Sequence, residues 1–185
     1  IKSYGVDKFL DEISKELQSH SYKPSPIKRV EIPKPDGGVR NLGIATIKDR
    51  VVATSCKIVI EPIFEAHLYK ESFGYRPKRR AQDAVLLINK YLKEGYTQVL
   101  DADLSNYFDT IPHKEVLAKI SERISDNKVL GLCKKMFKSP IQIPVRGGKK
   151  KYIANTIGVP QGNVLSPLAA NIYLNDFCLL IGNKT

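Results

Sequence analysis

Nine residues, Asp101-Ala-Asp-Leu-Ser-Asn-Tyr-Phe-Asp109, hold three acids and two adjacent aromatics. They follow Thr97-Gln-Val-Leu100, which reads as a strand. Strand side chains alternate faces, so Asp101 and Asp103 would share one face and Leu100, Ala102 and Leu104 the other. Two carboxylates on one face of a mostly apolar strand repel each other and resist burial. A divalent cation resolves that conflict, because Mg²⁺ takes one or two protein carboxylates and leaves its other positions to phosphates and water. The alternative is a strand end whose acids are simply solvated.

The rest of the chain bears on that choice. Its formal net charge is +11, which points to a polyanionic partner. Carboxylates inside so basic a chain suggest that protein cations hold phosphates while acids hold the metal that works on them. Lys34 and Arg40 flank the turn Lys34-Pro-Asp-Gly-Gly38 and could form a cationic clamp, lysine as a point charge and arginine as a bidentate fork. They could equally be the charged ends of a soluble hairpin. Arg76, Lys78, Arg79 and Arg80 lie in a loop with Phe73 and Tyr75, a mixture that suits phosphate contact and base stacking, or a solvated charge run. Of the adjacent Tyr107 and Phe108, one ring is forced outward if the other packs inward. A ring beside a bound nucleotide could test for a 2′-hydroxyl, and two rings in the core are the alternative. Pro160-Gln-Gly162 offers an amide and a glycine that allows close backbone approach, or only a turn.

The elements that must position these groups are legible from periodicity. Phe9, Leu10, Ile13 and Leu17 predict an amphipathic helix over 6–20. Lys28–Pro33 and Val39–Ile44 predict a hairpin. Asp49 is expected to cap a helix running to about Leu68, with Pro62 as a kink. Helices follow over 82–93, 114–123 and 126–138, then a second hairpin around Gly147-Gly148. An apolar helix over 164–177 comes last, preceded by Asn163 as its cap. Strands and helices mix without regular βαβ alternation, so the predicted class is α+β.

Composition excludes several roles. At 185 residues and 42% hydrophobic, the chain can build one sizeable domain or two small lobes. It has no apolar run approaching the ~20 residues of a membrane span, and no visible signal peptide. Cys56, Cys133 and Cys178 are scattered, without a CxxC pair, and read as buried free thiols in a reducing, cytoplasmic setting. His20, His67 and His113 are isolated and read as surface or packing residues.

No single signal decides, but their order does. Ile32-Pro-Lys-Pro-Asp-Gly-Gly-Val-Arg-Asn-Leu-Gly-Ile44, Asp49-Arg-Val-Val52, Glu61-Pro-Ile-Phe-Glu65, Ser72-Phe-Gly-Tyr-Arg-Pro77, Leu100–Asp109 and Gly158–Tyr173 resemble the successive blocks of bacterial group II intron reverse transcriptases. The resemblance covers residues 5 to 177. It implies a right-hand polymerase, with fingers at 1–96 and a partial palm at 97–185 that contains a finger-like excursion at 114–155. It implies Asp103 as the palm aspartate that binds catalytic Mg²⁺ (Mn²⁺ as a substitute), helped by the carbonyl of Leu104, with Asp101 a neighbour. Tyr107 is the favoured sugar gate and Phe108 the next choice. Lys34 and Arg40 would clamp the dNTP triphosphate, Gln161 and Gly162 would line the nucleotide and template pocket, and Arg76, Arg79 and Arg80 would follow the template. The implied partners are an RNA template, a DNA primer, dNTPs and intron RNA.

The sequence departs from the family in places. Asn163 stands where glycine is usual, and Lys78-Arg-Arg80-Ala-Gln82 where small residues and a histidine are usual. The family places a Tyr-x-Asp-Asp hairpin after the last helix, and these residues do not include one. The 185 residues alone are therefore expected to be nearly inactive. Ile1 and Thr185 read as cut ends. A domesticated, CRISPR-linked reverse transcriptase and a non-enzymatic RNA-binding maturase module are the alternatives.

Overall fold

Tyr22 is almost fully buried, and its hydroxyl donates to Asp49 Oδ1 at 2.7 Å, which ties the chain's opening segment to its central helix. The computed structural model describes residues 4–33, 35, 37–145 and 149–182. Among these, the chain forms α1 (Val6–Gln18), β1 (Ile27–Pro33), β2 (Val39–Ile44), α2 (Ile47–Glu65), α3 (Ala81–Lys93), α4 (Tyr107–Thr110), α5 (His113–Ser121), α6 (Asn127–Phe137), β3 (Ile141–Pro144), β4 (Lys150–Ile153) and α7 (Ser166–Gly182). The class is α+β.

The two hairpins share one sheet, in the order β2-β1-β3-β4. β1 pairs antiparallel with β2, placing Ile32 opposite Arg40, and parallel with β3, placing Ile27 opposite Ile141. A parallel pair needs a long crossover, and α2 to α6 supply it. Helix α2 lies at the centre of the core. Val52, Ala53, Cys56, Ile60 and Phe64 on α2 are buried with Val116 and Ile120 of α5, Met136 and Phe137 of α6, and Leu168 and Ile172 of α7.

Two expectations are corrected. Thr46, not Asp49, is the N-cap of α2: its Oγ1 accepts the Asp49 N–H at 3.2 Å. Asp49 sits inside the first turn and accepts from Tyr22, from Thr46 Oγ1 at 2.6 Å and from the Ser25 N–H at 3.2 Å. The expected strand at 97–100 does not form. Residues 97–104 have no regular structure, and Val99 and Leu100 are 80% and 85% exposed. No strand among the described residues pairs with them, and an isolated strand is not stable in water. Pro62 is accommodated inside α2, and Gly147 and Gly148 lie outside the described residues.

Cys56 and Cys133 were read as scattered, yet their sulfurs lie 3.8 Å apart between α2 and α6. Both are free and buried, and Cys178 is half-buried. No helix of the described residues is long and apolar enough to cross a membrane.

Candidate nucleotide and nucleic-acid site

The loop Gly158–Gly162 is built by backbone bonds to elements distant in sequence. The Gly158 N–H donates to the Ile111 carbonyl at 2.9 Å and the Val159 N–H to the Phe108 carbonyl at 2.7 Å. On the other side, the Gly43 N–H of β2 donates to the Gln161 carbonyl at 2.6 Å. Gly162 has φ +98°, and a Cβ there would collide with the Gly43 carbonyl oxygen, so only glycine fits. Asn163 prepares α7 from one turn ahead: its Oδ1 accepts the Leu165 N–H at 3.0 Å.

This docking brings together side chains from three elements. Arg40 Nε donates to Gln161 Oε1 at 3.2 Å, and Gln161 Nε2 donates to Asp109 Oδ2 at 3.4 Å. The two bonds set the orientation of the Gln161 amide, oxygen toward the cation and nitrogen toward the acid. Beside them opens a cleft of about 350 Å³, lined among others by Arg29, Asn41, Leu42, Asp109, Asn155 and Gln161. That is within the range of small-molecule sites. Arg40 and Asp109 are exposed to solvent and to any ligand.

Tyr107 and Phe108 are both half-buried and both pack against the core, but their outer contacts differ. The Tyr107 hydroxyl donates to the Ala170 carbonyl of α7 at 2.8 Å, and burial raises its pKa above the ordinary phenol range. Phe108 meets Tyr75 edge-on, with ring centroids 6.4 Å apart, beside the exposed loop. Tyr107 is thus an anchor into the core, and Phe108 is the ring nearer the exposed Tyr75.

Other expected site residues are placed apart. Asp103 and Leu104 are exposed on the irregular 97–104 segment and do not line the cleft. Lys34 lies outside the described residues. Among the described residues no group of three or more His, Cys, Asp or Glu side chains converges as a metal cage. Asp103 can offer a metal one open carboxylate, which fits a cation whose remaining positions belong to phosphates and water, not a closed protein site.

Arg76 needs the larger correction. It was expected on the template, but its side chain is 2% exposed. Its Nε and Nη2 donate to the Glu65 carboxylate at 2.8 to 3.0 Å, and Nη1 donates to the Tyr69 and Ser72 carbonyls. Every face of the guanidinium is used in folding the loop. Arg79 is partly held: it donates to the Lys70 carbonyl and lies 5.5 Å over the Phe73 ring. Arg80 is exposed to solvent and, among the described residues, pairs with Asp83 at 3.8 Å. Sequence reasoning missed Asp109 as the partner of Gln161, although it closes the same acidic motif. It missed Glu65 as the partner of Arg76, for which spacing offers no signal.

A family model described as reverse transcriptase (RNA-dependent DNA polymerase) matches residues 32–184. Protein YkfC of Escherichia coli K12 is 38% identical over 167 residues, 88% of this chain and 42% of that protein. Group II intron-encoded protein LtrA of Lactococcus lactis subsp. cremoris is 31% identical over 168 residues, 90% of this chain and 27% of that protein. Among solved structures, a chain of a partial Cas6-RT-Cas1–Cas2 complex superposes with a TM-score of 0.58 at 21% identity, covering 96% of this chain and 30% of that one. At that identity the likeness is one of fold. The chain spans less than half the length of each of these proteins.

Proposed function

This chain belongs to the reverse transcriptase family, and from that premise we propose that it forms the fingers and part of the palm of an RNA-directed DNA polymerase of group II intron type. In this reading residues 1–96 are fingers and 97–185 partial palm, with 114–155 returning to the finger sheet. The observation that carries it is the Arg40–Gln161–Asp109 chain of hydrogen bonds, in which Gln161 and Asp109 line the cleft and Arg40 stands beside it. It sets an exposed guanidinium and an oriented amide where β2 meets the 158–162 loop.

The substrates are a DNA primer on an RNA template and a dNTP. Arg40 and Lys34 bind the triphosphate as fork and point charge. Gln161, its amide oriented by Arg40 and Asp109, lines the nucleotide pocket, and Gly162, packed on the Gly43 carbonyl, holds the loop beside the template. Phe108 excludes a 2′-hydroxyl, while Tyr107, tied to Ala170, holds that ring in place. Arg79 and Arg80 follow the template backbone in place of Arg76. Asp103 with the Leu104 carbonyl would hold Mg²⁺, or Mn²⁺ in its stead. When bound, the metal supplies charge stabilisation for in-line displacement at the α-phosphate. The protein's share is positioning and neutralisation, which dominate phosphoryl-transfer chemistry. Intron RNA is the natural template for a protein of this type, and the cationic surface suits it.

A test that needs no turnover is the lifetime of a primer–template complex. The complementary dNTP is expected to slow its dissociation while the three mismatched dNTPs do not, and Arg40→Ala should abolish the difference. Equal lifetimes with all four dNTPs in the unaltered protein would contradict the reading and favour plain RNA binding.

A further inference from the structure

The 158–162 loop is held at three carbonyls. That of Gln161 accepts from Gly43, and that of Pro160 accepts from Ser166 Oγ at 2.7 Å. The third, Gly158, takes two donors from beneath: His113 Nε2 at 2.6 Å and Asn155 Nδ2 at 3.3 Å. His113 opens α5, is 5% exposed, and stacks on Phe137 with centroids 6.3 Å apart. A carbonyl only accepts, so Nε2 carries the proton. Nδ1 is buried and has no hydrogen-bond partner among the described residues.

An empty buried acceptor costs free energy that a phenylalanine or leucine in the same place would not. Packing on Phe137 therefore does not account for the imidazole, whereas the bond to Gly158 does. Nor can the loop settle elsewhere. Gly158 has φ +85°, and a Cβ there would lie 2.7 Å from the Asp109 carbonyl oxygen, so the loop already touches α4. The Gly158 and Val159 N–H bonds hold it at the Ile111 and Phe108 carbonyls, and the donors below fix the Gly158 carbonyl between them.

We propose that His113 is a positioning residue of the nucleotide site. Its Nε2–H fixes Gly158 and, through Val159 and Pro160, places the Gln161 amide against Arg40. The part that concerns nucleotide rests on the function proposed above; the part that concerns the loop does not.

Two variants and two readouts separate these. His113→Phe keeps the ring and removes the donor, and His113→Gln returns an N–H near the position of Nε2. Hydrogen exchange at the Gly43 amide, which reports the bond to Gln161, should quicken about tenfold in the Phe variant and return toward the original rate with Gln. The concentration of complementary dNTP that half-stabilises the primer–template complex should rise about tenfold with Phe and recover with Gln, while primer–template affinity stays unchanged. Unchanged Gly43 exchange and dNTP response in a folded Phe variant would overturn the role of His113 alone. An unaltered protein that ignores the complementary dNTP would overturn the nucleotide site, and the proposed role with it. Should the Phe variant fail to fold, ¹⁵N imidazole spectra of the unaltered protein decide: a proton on Nε2 supports the proposal, and an Nε2 that carries none contradicts it.

Discussion

Arg76 and Arg80 carry the same side chain four residues apart, and the fold gives them opposite uses. Arg76 spends its guanidinium on Glu65 and two loop carbonyls, while Arg80 stands in solvent. Arg76→Ala leaves Glu65 with only the longer Arg79 contact and empties two loop carbonyls, and should cost about 2–3 kcal/mol, seen as a fall in Tm. Arg80→Ala should leave stability within about 0.5 kcal/mol and lower the salt slope of RNA binding by about one unit. An Arg76→Ala protein of unaltered Tm that loses only RNA affinity would return Arg76 to the template. Neighbouring sequence could not separate the two arginines, because their difference lies in Glu65, the last residue of α2. Arg40 and Gln161 could be picked out as candidates by residue type. The bonds joining them through Asp109 were not, because a separation of 121 residues closes only when β2 docks on the loop.

Helices proved more legible than strands, and the cause is where their hydrogen bonds lie. A helix satisfies its backbone within its own sequence, so α1, α3, α5 and α6 could be read from apolar spacing alone. A strand needs a partner from elsewhere. Residues 97–104 have strand composition, yet no partner lies beside them among the described residues. Caps are local but fine-grained, and Thr46 takes the place that Asp49 was expected to hold. Thr46→Ala should therefore cost about 1 kcal/mol in denaturant unfolding. At the other long-range joint, Gly162→Ala meets both a left-handed φ and the Gly43 carbonyl. It should lower stability by about 1–3 kcal/mol and abolish dNTP discrimination. Helix α6 adds a pH test. Its cap Asp126 accepts the Val129 and Lys128 N–H groups, which hold its carboxyl below the usual carboxylate range. A depressed folded pKa stabilises above the unfolded value of about 3.9 and is lost as pH falls below it. The stability difference between the unaltered protein and Asp126→Ala should shrink on acidification from pH 5 to pH 2. A pH-independent difference would contradict the cap's charge.

At the scale of the whole molecule, a net charge of +11 and the order of the sequence blocks pointed to the family before any contact was known. The family match over residues 32–184 and the α+β fold agree with that reading. Less legible was the return of β3 and β4 to the sheet of the first hairpin, because a parallel pair between β1 and β3 leaves no local trace. That sheet sets β2, and with it Arg40, over the 158–162 loop, so the polymerase reading depends on it. A cationic surface of this kind should lose RNA affinity steeply between 50 and 200 mM salt. Retention of affinity across that range would point to recognition by shape and stacking instead. The most direct measurement is Mg²⁺-dependent extension of a DNA primer on an RNA template by the full-length protein that carries these residues, beside its Asp103→Ala variant. The account expects templated extension that Asp103→Ala abolishes while RNA binding survives. Extension that persists without Asp103, or no extension by a folded full-length protein that binds primer–template, would contradict it.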